Sequence, residues 1–169
     1  MGLMIRSSSI HAAGCYTTSP LAKGVKVVEY TGPRISKKDA DAKFQNSTIT
    51  YLFGIGNGST VINGYGTAMF INHSCDPNCE SVIEGRRVFI EAIRNIAAGE
   101  ELAYDYQIQR DTDDPADIDE IFACRCGSRT CRGTMLWPAK RAAREGRRRR
   151  AIRVDSAGNN RARSVSAGR

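Results

Sequence analysis

Three stretches hold the side chains whose types and spacing could do chemistry. Asn72-His73-Ser74-Cys75-Asp76-Pro77-Asn78-Cys79 puts two amides, an imidazole, a hydroxyl, two thiols and a carboxylate within eight residues, with apolar runs on both sides. A polar turn set inside a core reads as functional, because buried polar groups are costly unless they are satisfied or used. Cys124-x-Cys126-x4-Cys131 offers three thiolates in one tight loop, while a zinc ion takes four ligands in a tetrahedron. The fourth ligand must come from elsewhere, with Cys15, Cys75, Cys79, His11 and His73 as candidates. Third, Tyr104 and Tyr106 stand two residues apart, so that on a strand their phenols point the same way.

Composition bounds what can carry these groups. A chain of 169 residues, 41% hydrophobic, supports one domain with a core and tails beside it. The formal charge of +7 is uneven: residues 139–169 hold eleven Lys and Arg against Glu145 and Asp155, a net of +9, which leaves about −2 for the first 138 residues. The basic character therefore describes the tail, and such a run predicts disorder or a frayed helix there. No apolar stretch nears the roughly 18 to 20 residues that cross a bilayer, and the polar start lacks the apolar core of a secretory signal. The expectation is a soluble, monomeric protein of the cell interior, in the cytoplasm or the nucleus or nucleoid. In that compartment six cysteines favour reduced or metal-bound thiols over disulfides.

The elements that must position these groups are short. Residues 8–35 predict alternating turns and short strands, with Gly14-Cys15-Tyr16 opening a polar loop and 25–30 forming a β-branched strand. Ser36 with Asp39 three residues on predicts a capped helix to about Phe44. Residues 48–53 and 59–62, set among Asn57-Gly58 and Asn63-Gly64, predict a hairpin, and 82–93 predict a second one turning at Glu84-Gly85. Residues 111–120 read as an acidic, mobile connector. The glycines at 54, 56 and 58 are followed by Ser59 and a strand rather than a helix, which argues against a dinucleotide-binding loop.

Taken in order, NHSCDPNC, then GEELAYDY, then the Cys124 to Cys131 loop resemble the SET-domain protein lysine methyltransferases that carry a post-SET zinc motif. The likeness covers roughly Ser8 to Met135. It implies a mainly β fold, a SET-type β-clip of small twisted sheets around a threaded pseudoknot, with few short helices. The divisions it implies are a SET domain at 1–110, the connector at 111–121, a post-SET zinc motif at 122–138 and the basic tail at 139–169. The implied activity is methyl transfer from S-adenosyl-L-methionine to the ε-amine of a protein lysine, with Zn²⁺ as second cofactor.

By the same resemblance Tyr106 is the catalytic tyrosine, and Tyr104 tunes the product toward mono- or dimethylation. Tyr51 and Phe53 line the lysine channel with them. His11, Ala13, Gly14, Tyr51, Asn72 and His73 hold the methyl donor, and Cys75 joins Cys124, Cys126 and Cys131 on the metal. Cys79 reads instead as a small buried apolar residue. Three positions depart from the pattern: Ala12 replaces a glycine, Asn63 an aspartate, and Met69 an arginine. Partners would be a lysine-bearing protein, such as a basic DNA-associated one, with nucleic acid reached through the tail.

A second reading is a zinc-stabilised binding module of weak activity that uses its tail on nucleic acid. A cysteine hydrolase built on His73 and Cys75 is poor, since residues two apart in a tight turn seldom align as base and nucleophile.

Overall fold

The computed structural model describes residues 2–45, 47, 51–56, 58–111 and 114–137. The basic tail and the expected strand start at 48–50 lie outside the described residues. What is described is mainly β, in three small sheets.

Strands β1 (Leu3–Ser7) and β2 (Ala13–Thr17) form an antiparallel pair. The sequence pattern gave no sign of β1 and placed a loop where β2 lies. Cys15, wholly buried and apolar in behaviour, anchors β2 in the core despite its polar neighbours. Strand β3 (Lys26–Glu29) follows as expected, then β4 (Arg34–Ser36) and helix α1 (Lys37–Phe44). Ser36 caps α1: its hydroxyl accepts from the Asp39 backbone N–H at 3.0 Å and donates to the Asp39 carboxylate at 2.7 Å.

Strands β5 (Leu52–Ile55) and β6 (Thr60–Asn63) make the first hairpin, and β4 pairs on the other side of β6. Gly64 is held for space rather than for a turn, since an added Cβ would lie 2.5 Å from the buried Tyr30 ring. A single 3₁₀ turn at Thr67–Phe70 leads into the two-residue strand β7 (Asn72–His73).

The second hairpin is β8 (Cys79–Glu84) with β9 (Arg87–Ala92). Glu84 pairs with Arg87, so the loop is Gly85-Arg86, one residue beyond the expected turn, with Gly85 at φ +59°. The largest sheet runs β3-β9-β8-β10-β7, where β10 (Ala103–Tyr104) enters late and lies parallel between β8 and β7. That insertion brings the Tyr104 end of the chain beside Asn72 and His73.

Inside the acidic connector a one-turn helix, α2 (Ile118–Ile121), replaces the expected loop for part of its length. The chain then returns, with Cys124 N–H on Gly133 O at 3.0 Å and Trp137 N–H on Ile108 O at 2.7 Å. The main core gathers Cys15, Ile71, Cys79, Ile90, Ile96 and Leu102, and Tyr104 belongs to its wall. No helix among the described residues is long and apolar enough to cross a membrane.

Candidate active site and metal centre

The site is built where β7 and β10 run side by side. Tyr104 pairs with His73, and Ser74 N–H donates to Tyr104 O at 3.1 Å. Asn78, only 4% exposed, locks the polar turn onto the incoming strand. Its amide donates to Glu101 O at 2.7 Å and accepts from Ala103 N–H at 2.9 Å, so a buried polar group is fully used.

Asn72 faces the other way, toward β2. Its Nδ2 reaches Glu101 Oε1 at 2.9 Å, Ala13 O at 3.0 Å and Ser8 Oγ at 3.2 Å. Three acceptors around the nitrogen fix the amide's orientation and leave Oδ1 as its acceptor end. Glu101 is the hub here, because it also accepts from Ser8 Oγ at 2.7 Å and Tyr16 OH at 2.8 Å. Gly14 is the residue that lets this happen, since a Cβ there would collide with the Glu101 carboxylate. His11 stays exposed in the bend before β2, while Ala13 takes part through its carbonyl.

His73 is 3% exposed, and its Nδ1 accepts from Tyr106 N–H at 3.1 Å. That contact puts the ring proton on Nε2, 3.4 Å from Cys75 Sγ. Burial pulls His73 down to about 4, and nearby Asp105 opposes this only in part, so the ring is neutral near pH 7.

Aromatic rings run in a ladder: Tyr30 to Phe53 at 5.3 Å, Phe53 to Tyr104 at 6.5 Å, Tyr104 to Tyr106 at 4.8 Å, and Tyr106 to His73 at 5.3 Å. Tyr51 is anchored by its carbonyl, which accepts from Tyr30 OH at 3.1 Å and Gly64 N–H at 2.7 Å. Burial raises the Tyr104 and Tyr106 phenols well above their ordinary value, so both stay protonated. Tyr106 donates its proton to Ile71 O at 3.0 Å. Its oxygen lone pairs are thereby left to accept.

Beside this ladder, the sulfurs of Cys75, Cys124, Cys126 and Cys131 lie within 4.8 Å of one another. Cys75 and Cys124 sulfurs are 3.7 Å apart, against a tetrahedral edge of about 3.8 Å for Zn–S bonds of about 2.3 Å. His73 Nε2 and Arg132 N–H both point at Cys75 Sγ, each at 3.4 Å, as donors that would steady a metal-bound thiolate there. Burial works to raise Cys126, but hydrogen bonding with Ser128 and neighbouring groups outweighs it and holds that thiol below its usual range. Cys15 and Cys79 are wholly buried and take no part, and burial pushes their thiols up to about 11 and about 12.

Sequence reasoning missed Tyr30, Glu101 and Arg132. Tyr30 read as the end of a strand and Glu101 as part of a turn, and only contacts with residues 21 to 93 positions away in the chain bring either to the site.

A model of the SET domain matches residues 12–107. The chain belongs to the SET domain family. Among similar curated proteins is the histone-lysine N-methyltransferase, H3 lysine-4 specific, of Eremothecium gossypii, 40% identical over 138 residues, which are 75% of this chain and 14% of that protein. The protein of the same name from Saccharomyces cerevisiae is 38% identical over 143 residues, 78% of this chain and 13% of its own length. That of Candida albicans is 39% identical over 138 residues, 75% and 13%. The SET domain chain thus spans about one seventh of the curated relatives it matches.

The SET domain model ends at Gln107, so the cysteine loop lies beyond it. Contacts such as Arg132 N–H to Cys75 Sγ join that loop to the SET domain body.

Proposed function

We propose that this chain transfers a methyl group from S-adenosyl-L-methionine to the ε-amine of a protein lysine. The observation that carries the reading is the union of the fixed Asn72 amide, the aromatic ladder and the Tyr106 phenol around the β7–β10 pair. The bound donor supplies an electrophilic methyl on a sulfonium sulfur. All else falls to the protein's own residues.

Asn72 Oδ1, the acceptor end left by the bonds at Nδ2, would accept from the donor's ammonium, and Ala13, Gly14, His11, His73 and Tyr51 would complete the pocket. The Glu101 carboxylate behind Asn72 suits a cationic ligand. Phe53, Tyr51 and Tyr104 take the lysine stem by apolar contact, and the ladder's rings attract its cationic head. Desolvation between these rings lowers the amine's pKa toward the neutral, attacking form. Tyr106 then accepts an amine N–H with the lone pair left by its bond to Ile71 O, which aims the nitrogen's own lone pair. The Tyr104 hydroxyl leaves little room for repeated rotation, which favours mono- and dimethyl products.

Cys75, Cys124, Cys126 and Cys131 would hold one Zn²⁺, which would tie the post-SET segment to the polar turn. The relatives' names point to a substrate of the histone H3 type with lysine 4 as the target. The tail, net +9 over residues 139–169, binds nucleic acid by counterion release, and salt-dependent DNA retention lost on its deletion tests this.

Tyr106→Phe tests the central role. Removing one positioned group of this kind costs roughly 3 kcal/mol, so kcat falls about 10²-fold or more while the donor's Kd, read by calorimetry, stays within about twofold. Unchanged kcat would remove Tyr106 from the mechanism.

A further inference from the structure

We propose that Arg132 is the positioning residue through which the cysteine loop sets the Tyr104-Asp105-Tyr106 turn. This rests on the zinc and methyl-transfer reading above and adds a residue to it.

Arg132 looks in two directions. Its backbone N–H, next to Cys131, lies on Cys75 Sγ at 3.4 Å, so its main chain belongs to the sulfur cluster. Its guanidinium turns to Asp105 and grips both carboxylate oxygens, Nη1 to Oδ2 at 2.8 Å and Nη2 to Oδ1 at 2.9 Å. A planar fork on a carboxylate fixes orientation as well as distance, which an ammonium does not do.

Asp105 passes that orientation on. Its Oδ1 accepts from Gln107 N–H at 3.2 Å, and Gln107 holds φ at +52°, in the left-handed region that non-glycine residues rarely adopt. The same oxygen lies 3.6 Å from His73 Nδ1, the atom that accepts from Tyr106 N–H. Tyr106 is therefore bracketed: its own N–H on His73, the next N–H on Asp105, and its hydroxyl on Ile71 O. Of these three restraints, the one through Asp105 depends on a residue of the cysteine loop.

Stability alone does not explain the pair. Arg132 and Asp105 side chains are only 22% and 20% exposed, and at such depth desolvation cancels much of the attraction. Arg132 Nε, moreover, is buried without a hydrogen-bond partner among the described residues, a further cost of holding this geometry. The arrangement has value as alignment. A loosened cysteine loop withdraws the fork, the Asp105 restraint on Gln107 relaxes, and the Tyr106 hydroxyl drifts from its place. A displacement of about 1 Å costs on the order of 10²-fold in rate.

The test uses the full chain, zinc-loaded, with Arg132→Met, which keeps the stem, and Arg132→Lys, which keeps the charge and loses the fork. Zinc per chain, donor Kd, kcat, KM and amide exchange at Tyr106 and Gln107 are measured on each. Arg132→Met is expected to keep its zinc and bind donor within about twofold of the parent, while kcat drops roughly tenfold or more. Arg132→Lys falls between. Exchange at Gln107 quickens in Arg132→Met, and chelation, which quickens it in the parent chain, adds nothing further in that variant. Parent-like kcat and exchange in zinc-loaded Arg132→Met overturn the proposal, and so does loss of zinc from both variants, which would confine Arg132 to the metal loop. Failure of the underlying reading shows separately, as a parent chain that binds no zinc or transfers no methyl.

Discussion

Ala12 stands where the family pattern has glycine, and the structure shows the consequence, a backbone φ of +30° just ahead of β2. A Cβ in that region is strained by about 1 to 3 kcal/mol, offset in part by the greater chain entropy that glycine loses on folding. Ala12→Gly is therefore expected to stabilise the fold by about 1 kcal/mol, which raises Tm by about 2–4 °C in a thermal melt. A lowered Tm would show that the bend is not under strain. Residue types made much of the site legible. Asn72, His73, Tyr104, Tyr106 and the four cysteines were all visible as chemistry, and the structure brings them together. Glu101 was not, because a carboxylate after Gly99-Glu100 looks like any solvated turn. Its partners Ser8, Tyr16 and Asn72 lie 29 to 93 residues away in the chain.

At the scale of elements, local signals did well where local physics decides. The Ser36 cap and both hairpins follow from side chains within a few residues of each other. They failed where burial decides: β2 exists because Cys15 is packed, and β10 because a late segment finds a gap between β8 and β7. Gly64 shows the same lesson, since its role is to admit Tyr30, whose hydroxyl is pinned to Tyr51 O. Tyr30 is 5% exposed, and a shift of its ring would strain the bond to Tyr51 O. Gly64→Ala should cost about 1–3 kcal/mol by overpacking, and disturb the ladder at its Tyr30–Phe53 end. A denaturant melt with an unchanged midpoint would show that the ring yields freely.

At the scale of the molecule, the late strand and the cysteine loop both close on the turn that begins at Asn72. Cys75 in that turn faces three cysteines about 50 residues on, so one ion would join the middle of the described chain to its last segment. Chelation is expected to remove about one zinc per chain and abolish donor binding and transfer together, with both restored by added zinc; activity that persists in the metal-free protein would contradict this. The central claim is that a lysine amine, guided by aromatic rings to Tyr106, takes the donor's methyl group. Its most direct test is transfer of labelled methyl from S-adenosyl-L-methionine to histone H3, resolved by mass spectrometry, with lysine 4 intact or replaced. Mono- and dimethyl-lysine are expected at that position, and none on the replaced protein. Absence of any methylated lysine, from a zinc-loaded chain that binds the donor, would contradict it.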